Sequence, residues 1–289
     1  MSEMKAVNWI VTAKCNYRCS YCRYGLGNLP DDSTVSNVLK FVGNVFKTKR
    51  LNLCGGEPTL LSQLIDISRF CKEHEIFLSV DTNLSMNTKG FISVIEAGYP
   101  FFNYIHATFH MEFADFEVFC DRVRNLRATG CKVDVRLIAF HDNFENVRKM
   151  YHRLQNAGMN PRLKLEKLRR RENKSITSPT ILPTYPDSYI NWIAGTFGLS
   201  REEFLEKNSY KCYQGKYCYA GVKYISIDQS GQVFRCTTGI TNGYPLYHID
   251  NLEEKRRLEV LKNFQEAKKC FFPICKCREA EKFELLTEV

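Results

Sequence analysis

The sequence predicts an α/β protein: a partial (β/α)6 barrel followed by a small cysteine-rich α+β extension at the C-terminus. Three observations carry that reading. Strand-like and helix-like stretches alternate six times between Ala6 and Leu168, and such alternation builds parallel strands with helices outside. The residues with the most chemical character follow strand ends, where α/β barrels gather their chemistry. The alternation stops after Arg171, and a different composition rich in cysteine takes over. Six units are also compatible with a doubly wound open sheet.

The elements run as follows. Ala6 to Ala13 (AVNWIVTA) is a buried strand, and a cysteine-rich loop spans Lys14 to Pro30. Asp32 or Ser33 caps a helix reaching Phe46, since short polar side chains satisfy the first free amides. Arg50 to Cys54 is a short strand ending at a Gly-rich turn, followed by a helix from Leu60 to Glu73. Ile76 to Asp81 is a strand, Asn87 to Ala97 a helix, and Tyr104 to Phe109 a strand. A helix from Ala114 to Ala128 stops at Gly130, a strand covers Lys132 to Phe140, and a helix from Asn143 to Asn156 stops at Gly158. Arg162 to Leu168 is the sixth strand. Ser175 to Asp187 holds three of the nine prolines and reads as a linker or lid. Helical stretches cover Ser188 to Gly195 and Arg201 to Lys207. Val222 to Ile227, a DQSG turn and Gln232 to Arg235 make a hairpin, and a helix runs from Leu252 to Lys268. The expected division is a core over 1–171, a linker and helical lid over 172–210, and an extension over 211–289.

Composition narrows the class. The chain has 289 residues, 44% hydrophobic and 25% charged, which suits a globular protein with a sizeable core. No apolar run reaches the length of a membrane span. The N-terminal segment lacks the features of a signal peptide, so a cytoplasmic location is expected. Thirteen cysteines in such a chain point to metal ligation or catalysis before disulfides, and the odd number argues the same way. Cys71, Cys120 and Cys131 stand singly in helix- or strand-like stretches and read as small core residues. The net charge of +9 is compatible with an anionic substrate or partner. Most of the basic run Arg162 to Lys174 reads as solvated surface, and nothing in the charge pattern points to nucleic acid.

The segment KCNYRCSYCRY places Cys15, Cys19 and Cys22 in a CxxxCxxC spacing. Thiolate is the ligand of iron–sulfur centres. Three thiolates hold three irons of a cubane and leave the fourth open for chemistry. Alone, the three cysteines would also suit a zinc knuckle or a closed electron-transfer cluster.

Their neighbours decide. Tyr21 precedes the third cysteine; Gly55, Gly56, Glu57 and Pro58 follow the second strand; Thr82 and Asn83 follow the third; Thr108 and His110 lie in HATFH at the end of the fourth. In this order the motifs resemble those of the radical S-adenosylmethionine (SAM) superfamily, over roughly residues 6 to 168. The resemblance implies a [4Fe-4S] cluster whose open iron binds SAM. It also implies reductive cleavage of SAM to a 5′-deoxyadenosyl radical that takes a hydrogen atom from substrate. The backbone of Tyr21 would then meet the adenine. The GGEP segment would bind the methionine amino group, glycine allowing close approach and the carboxylate suiting an ammonium. Thr108 would hydrogen-bond SAM. Leu84 stands where the family's TNG has glycine. Arg136, in the fifth strand, either points to solvent or reaches the SAM carboxylate, and His106 and His110 have a plainer reading as histidines at the core edge.

Six cysteines occupy the last third: Cys212, Cys218, Cys236, Cys270, Cys275 and Cys277. Their disposition about a hairpin resembles the twitch and SPASM extensions of radical SAM proteins, and implies one auxiliary iron–sulfur cluster in the shorter, twitch form. Cys218, Cys236, Cys275 and Cys277 rank first as its ligands, with Cys270 able to replace one of the last two. A zinc ribbon is the alternative. Cys212 is either structural or a hydrogen-atom donor to a substrate radical.

Two substrate classes remain open. One is a peptide, modified by oxidation, crosslinking or epimerisation; the other is a small molecule such as an aminocyclitol, sugar or nucleotide, oxidised by a dehydrogenase. Cys15 stands close to the N-terminus, with no separate peptide-recognition domain expected before it, which weakens the peptide reading. An electron donor such as flavodoxin or ferredoxin is the expected protein partner. A reading of another class, an electron carrier without SAM chemistry, is opposed by GGEP and TN, because a carrier needs no methionine-binding loop.

Overall fold

In a computed structural model, the structure describes residues 5–165 apart from 23 and 26, together with 185–208, 212–251 and 266–272. Strand and helix alternate as expected: β1 (Ala6–Thr12), α1 (Asp32–Lys40), β2 (Arg50–Gly55), α2 (Leu64–Glu73), β3 (Phe77–Thr82), α3 (Thr88–Gly98), β4 (Phe102–Phe109), α4 (Phe116–Ala128), β5 (Lys132–Ala139), α5 (Phe144–Asn156) and β6 (Arg162–Leu165). Beyond them lie α6 (Asp187–Thr196), α7 (Arg201–Asn208), β7 (Tyr217–Cys218), β8 (Tyr224–Ile227), β9 (Gln232–Phe234), α8 (Thr237–Asn242), β10 (Tyr247–His248) and β11 (Lys268–Lys269).

The strands form a nine-stranded sheet in the order β10-β9-β8-β1-β2-β3-β4-β5-β6, with β1 to β6 all parallel. A doubly wound sheet reverses its strand order midway; from β1 to β6 the order here runs without reversal, and β8 to β10 add on at the β1 edge. Right-handed crossovers between successive neighbours send every helix to the same face. The burial pattern agrees, because Leu51, Leu53, Val80, Ile105 and Val135 from the strands share one core with Leu64, Ile67, Phe91, Val94, Phe119 and Val147 from the helices. Alternate residues point to the opposite face. There Asn8, Asn52, Ser79, Asp81, His106, Asp134 and Arg136 form a continuous polar layer, described below.

Local chemistry sets the boundaries. The α1 cap is Asp31, whose side chain accepts from the Thr34 amide, one residue before the expected cap. Helix α2 begins at Leu64, because Pro58–Leu60 first makes a separate 3-10 turn. Asn87 and Asp115 cap α3 and α4 by the same side-chain-to-amide bond. Cys71, Cys120 and Cys131 are buried in the main core, as their surroundings in the sequence suggest.

The expected hairpin is β8–β9. It extends the main sheet: β8 pairs in parallel with β1, Ala6 opposite Tyr224 and Trp9 opposite Ile227. The helix expected to reach Lys268 lies mostly outside the described residues, and its end is corrected, because Lys268–Lys269 is strand β11, paired with β7. The charged run beyond Leu165 and the proline-rich stretch up to residue 184 also lie outside the described residues. Among the described residues no helix is long and apolar enough to cross a membrane.

Candidate functional site at the strand ends

Parallel strands deliver the loops after β1, β2, β3 and β4 to one edge of the sheet. The loop after β1 carries Cys15, Cys19 and Cys22. Its base is closed where Lys14 bridges to Gly25 and the Gly25 amide donates to the Ala13 carbonyl at 3.0 Å. The Cys22 amide donates to the Cys19 carbonyl, folding the CxxC segment into a turn.

The GGEP loop presses against that base. The Gly56 amide donates to the Thr12 carbonyl at 2.7 Å and the Glu57 amide to the Lys14 carbonyl at 2.9 Å. Both glycines are required. Gly55 has φ +122, and a Cβ there would stand 2.4 Å from the Thr12 carbonyl oxygen; one at Gly56 would stand 2.0 Å from that of Lys14.

Glu57 is wholly buried. Its Oε1 accepts from the Thr59 amide, the Thr59 hydroxyl and the Thr82 hydroxyl, and its Oε2 from the Asn83 amide at 2.7 Å. Burial raises its pKa, and the bonds from Asn83, Thr59 and Thr82 oppose the rise. Whether this carboxylate also meets a ligand ammonium, as the resemblance implies, is a matter for the proposed function. Its oxygens serve as a bracket between the loops after β2 and β3. Pro58 starts the 3-10 turn that aims the bracket.

Asn83 joins the β3 end to the cysteine loop, its Nδ2 donating to Asn16 Oδ1 at 2.9 Å and lying 3.9 Å from Cys15 Sγ. Leu84 is buried with φ 56, a left-handed conformation that explains why glycine suits the position. The Thr82 hydroxyl accepts from the Leu84 amide, and Arg122 donates to the Leu84 carbonyl at 2.6 Å.

The β4 end grips the other side of the loop. Ser20 donates through its amide and hydroxyl to the two Glu112 oxygens, at 2.9 and 2.6 Å. His110 Nδ1 lies 3.4 Å from Cys19 Sγ and is in contact with the Tyr21 hydroxyl. The Tyr21 and His110 rings are nearly parallel, and Phe140 meets Tyr21 edge-on. Burial pushes the His110 imidazole down to about 4, against the pull of Glu112. Thr108 sits two residues back on the same face of β4, opposite Arg136 of β5.

Every described cysteine is a free thiol. Burial raises the Cys15 and Cys19 thiols, Cys19 to about 11. Cys22 would add its charge to the rise at both, and Cys15 to that at Cys19. Thiols that oppose one another's ionisation share a small space, and cationic iron between them reverses that penalty. Among the described residues no three His, Cys, Asp or Glu side chains are spaced for a single metal ion. A cubane spreads its ligands wider, because each thiolate holds a different iron. The donor set fits a cluster.

Arg136 faces the polar layer, its side chain 13% exposed. Its Nε donates to Asp134 at 2.9 Å, one terminal nitrogen donates to Asp81 at 2.7 Å, and the other contacts His106. Asn52 continues the layer, donating to Asn8 at 2.9 Å and Asp81 at 3.2 Å and accepting from Ser79. Burial works to raise the Asp134 pKa, but the bonds from His106 and Arg136 outweigh it and hold the carboxyl down at about 2. All three guanidinium nitrogens thus have partners within the sheet. The sequence did not single out Asn8, Asn52, Ser79, Asp81 or Asp134; their polar character at alternate positions of otherwise apolar strands was the available signal.

The C-terminal cysteines collect elsewhere. Cys218 and Cys236 lie in one packed cluster with Ala6, Ala220, Tyr224 and Phe272, and Cys270 packs against it, at the opposite end of β1. Gln214 bridges to Cys270, so Cys212, exposed and two residues away, lies with this group and not with the first cysteine loop. Arg235 ties the segments of this packed cluster together, donating to the carbonyls of Ala220, Cys218 and Lys268. Cys275 and Cys277 lie outside the described residues.

The family description "Radical SAM superfamily" matches residues 9–154, half of the chain and the whole of the strand-end assembly just described. The chain belongs to the radical SAM superfamily. It is therefore an enzyme of a family whose members use SAM and a [4Fe-4S] cluster. It is 33% identical over 88 residues to an S-adenosylmethionine-dependent nucleotide dehydratase of Fibrobacter sp. (strain UWH6), 27% of this chain and 26% of that one. With a protein of the same description from Psychrobacter lutiphocae it shares 31% over 106 residues, 31% of this chain and 36% of the other. The chain thus matches only about a third of these relatives' length. In fold it resembles native anSMEcpe with bound AdoMet and Cp18Cys peptide, with a TM-score of 0.62 at 16% identity, over 95% of this chain and 86% of that one. It also resembles Streptococcus suis SuiB bound to precursor peptide SuiA, with a TM-score of 0.57 at 11% identity, over 83% and 61%. At these identities the likeness concerns the fold alone.

Proposed function

We propose that the chain splits SAM reductively and oxidises a substrate held over the polar layer of a partial barrel, with a second iron–sulfur cluster as electron acceptor. The observation that carries the first half is the convergence of the GGEP, TN and β4-end loops on Cys15, Cys19 and Cys22. A cluster held there supplies one electron to the sulfonium. The protein's own parts do the rest. Gly55 and Gly56 offer close backbone approach to the methionine end of SAM, and Glu57 fixes that loop from behind. Tyr21 offers backbone to the adenine, and Thr108 a hydroxyl. Flavodoxin or ferredoxin is the expected electron donor.

The second half rests on Cys218, Cys236 and Cys270 packing together in one cluster. We assign them as three ligands of a twitch-like auxiliary cluster, with Cys275 or Cys277 as the fourth. Cys270 thereby enters the leading set. The core is proposed to span 1–171 and the auxiliary region 211–289, with 172–210 between them. Anaerobic reconstitution should give about eight irons per chain, two [4Fe-4S] clusters. Replacing Cys15, Cys19 and Cys22 together by Ala should leave about four. Four irons in the unaltered protein would end the two-cluster reading.

For the substrate, a small hydroxyl- or amino-bearing molecule such as a nucleotide or sugar is favoured. Asp81 supports this: its carboxylate is held ionised by Arg136 yet 36% exposed, an acceptor for such a donor. The two relatives named nucleotide dehydratases point the same way. Peptide modification is the second reading, supported by structural neighbours solved with peptides. The test measures 5′-deoxyadenosine from reduced protein and SAM, alone and with nucleotides, sugars and short peptides. The favoured class should raise its yield. No 5′-deoxyadenosine under any condition would overturn SAM cleavage, and stimulation by peptides alone would overturn the substrate choice.

A further inference from the structure

Cys19 differs from the other two thiols of its loop in being buried, and polar hydrogens close on it. His110 Nδ1 stands 3.4 Å from its sulfur. The Tyr21 hydroxyl is hydrogen-bonded to Cys19 and touches the same ring nitrogen. A metal-bound thiolate has no proton and can only accept, so favourable contacts require donors around it. One assignment of protons meets that need: His110 carries its hydrogen on Nδ1, and the Tyr21 hydroxyl points its own at sulfur. The Ser20–Glu112 bonds on one side and the Phe140 contact on the other hold both donors in place.

We propose that His110 and Tyr21 form a donor pair on the Cys19 thiolate and set the reduction potential of the cluster this loop holds. Hydrogen bonds to a ligand sulfur withdraw electron density and stabilise the reduced, more negative cluster, so they raise its potential. The matter is consequential for SAM cleavage, where the reduced cluster must be both attainable by the electron donor and strong enough to split a sulfonium. Tyr21 and His110 act through Cys19 in this account and are positioning residues. The proposal rests on the reading that Cys15, Cys19 and Cys22 bind a cluster.

The test is an anaerobic redox titration followed by electron paramagnetic resonance, without SAM, on reconstituted protein with iron and sulfide counted. Tyr21→Phe removes only the hydroxyl, and His110→Leu removes the ring donor. Each should move the midpoint to a more negative value, and the double variant further still. His110→Asn, whose amide nitrogen can take the place of Nδ1, should recover most of the shift; a purely structural role for the ring would not produce that rescue. Should His110→Leu fail to take up iron, Tyr21→Phe and His110→Asn against the unaltered protein still decide. Variants with full iron and an unchanged midpoint overturn the donor pair alone. Unaltered protein that takes up no iron at Cys15, Cys19 and Cys22 overturns the cluster reading, and the donor pair with it.

Discussion

Replacing Gly56 by Ala tests whether the GGEP loop and the cysteine loop are one assembly. The added Cβ would stand 2.0 Å from the Lys14 carbonyl oxygen and 2.5 Å from its carbon. Ordinary contact requires about 3.5 Å, so backbone must retreat by more than about 1 Å. Neither partner is a flexible side-chain end that could swing away. The retreat breaks the bonds from Gly56 N to the Thr12 carbonyl and from Glu57 N to the Lys14 carbonyl, each worth about 1 kcal/mol. Forced repacking adds about 1–3 kcal/mol. The expected loss is about 3–5 kcal/mol in urea denaturation followed by circular dichroism, with less iron retained at the first cysteine loop. Gly195→Ala is the opposite control. It lies in α6 with nothing within 4 Å of the added atom, and relief of glycine's entropy should stabilise by about 0.5 kcal/mol. If Gly56→Ala unfolds at the unaltered midpoint with its full iron complement, the two loops are not locked together and the argument fails.

Leu84→Gly should relieve a left-handed backbone at about 1 kcal/mol but surrender a buried side chain worth about 2–5 kcal/mol, for a net loss of about 1–4 kcal/mol in the same assay. Arg136→Ala should cost about 2–4 kcal/mol, because it strands Asp81 and Asp134 on a half-buried face; an unchanged urea midpoint would show that the layer is solvated. Acid unfolding should expose the same network. Asp134 titrates near 2 in the folded protein, below its usual value, so its stabilisation is complete above about pH 4 and fades as the pH falls toward 2. Asp134→Asn should flatten the stability profile across that window, and a profile parallel to the unaltered protein's would count against the pairing.

Much of the core was legible because its elements are periodic. Strands such as Lys132–Ala139 alternate strictly, and Gly130 and Gly158 mark helix ends without ambiguity. The cysteine loop was legible because CxxxCxxC and the strand-end motifs are local. What escaped depends on contacts distant in sequence. No local pattern shows that Tyr224 lies beside Ala6, or that Lys268–Lys269 pairs with β7. Helix α8 has the sequence TTGITN, poor in helix formers, and forms where tertiary context overrides propensity. The internal partners of Glu57 and Arg136 were not legible for one reason. A charged residue near a ligand site suggests a ligand contact, yet burial forces such a residue to find partners inside the protein first.

Strand β1 sets the relation between the two cysteine groups. Thr12 leads into the first loop, whereas Ala6 belongs to the packed group of Cys218, Cys236 and Cys270. The seven residues of β1 span about 20 Å. Between those ends, on the face away from the helices, lies the polar layer of Asn8, Asn52, Asp81 and Arg136. In the proposed function, a molecule resting on this polar layer would lie between the two groups, losing its hydrogen atom toward the SAM end and its electron toward the other. On this arrangement, removing Cys218 or Cys236 should leave SAM cleavage without substrate unaffected and abolish the oxidised product. Loss of both together would mean that the second cysteine group serves the fold and takes no part in the oxidation.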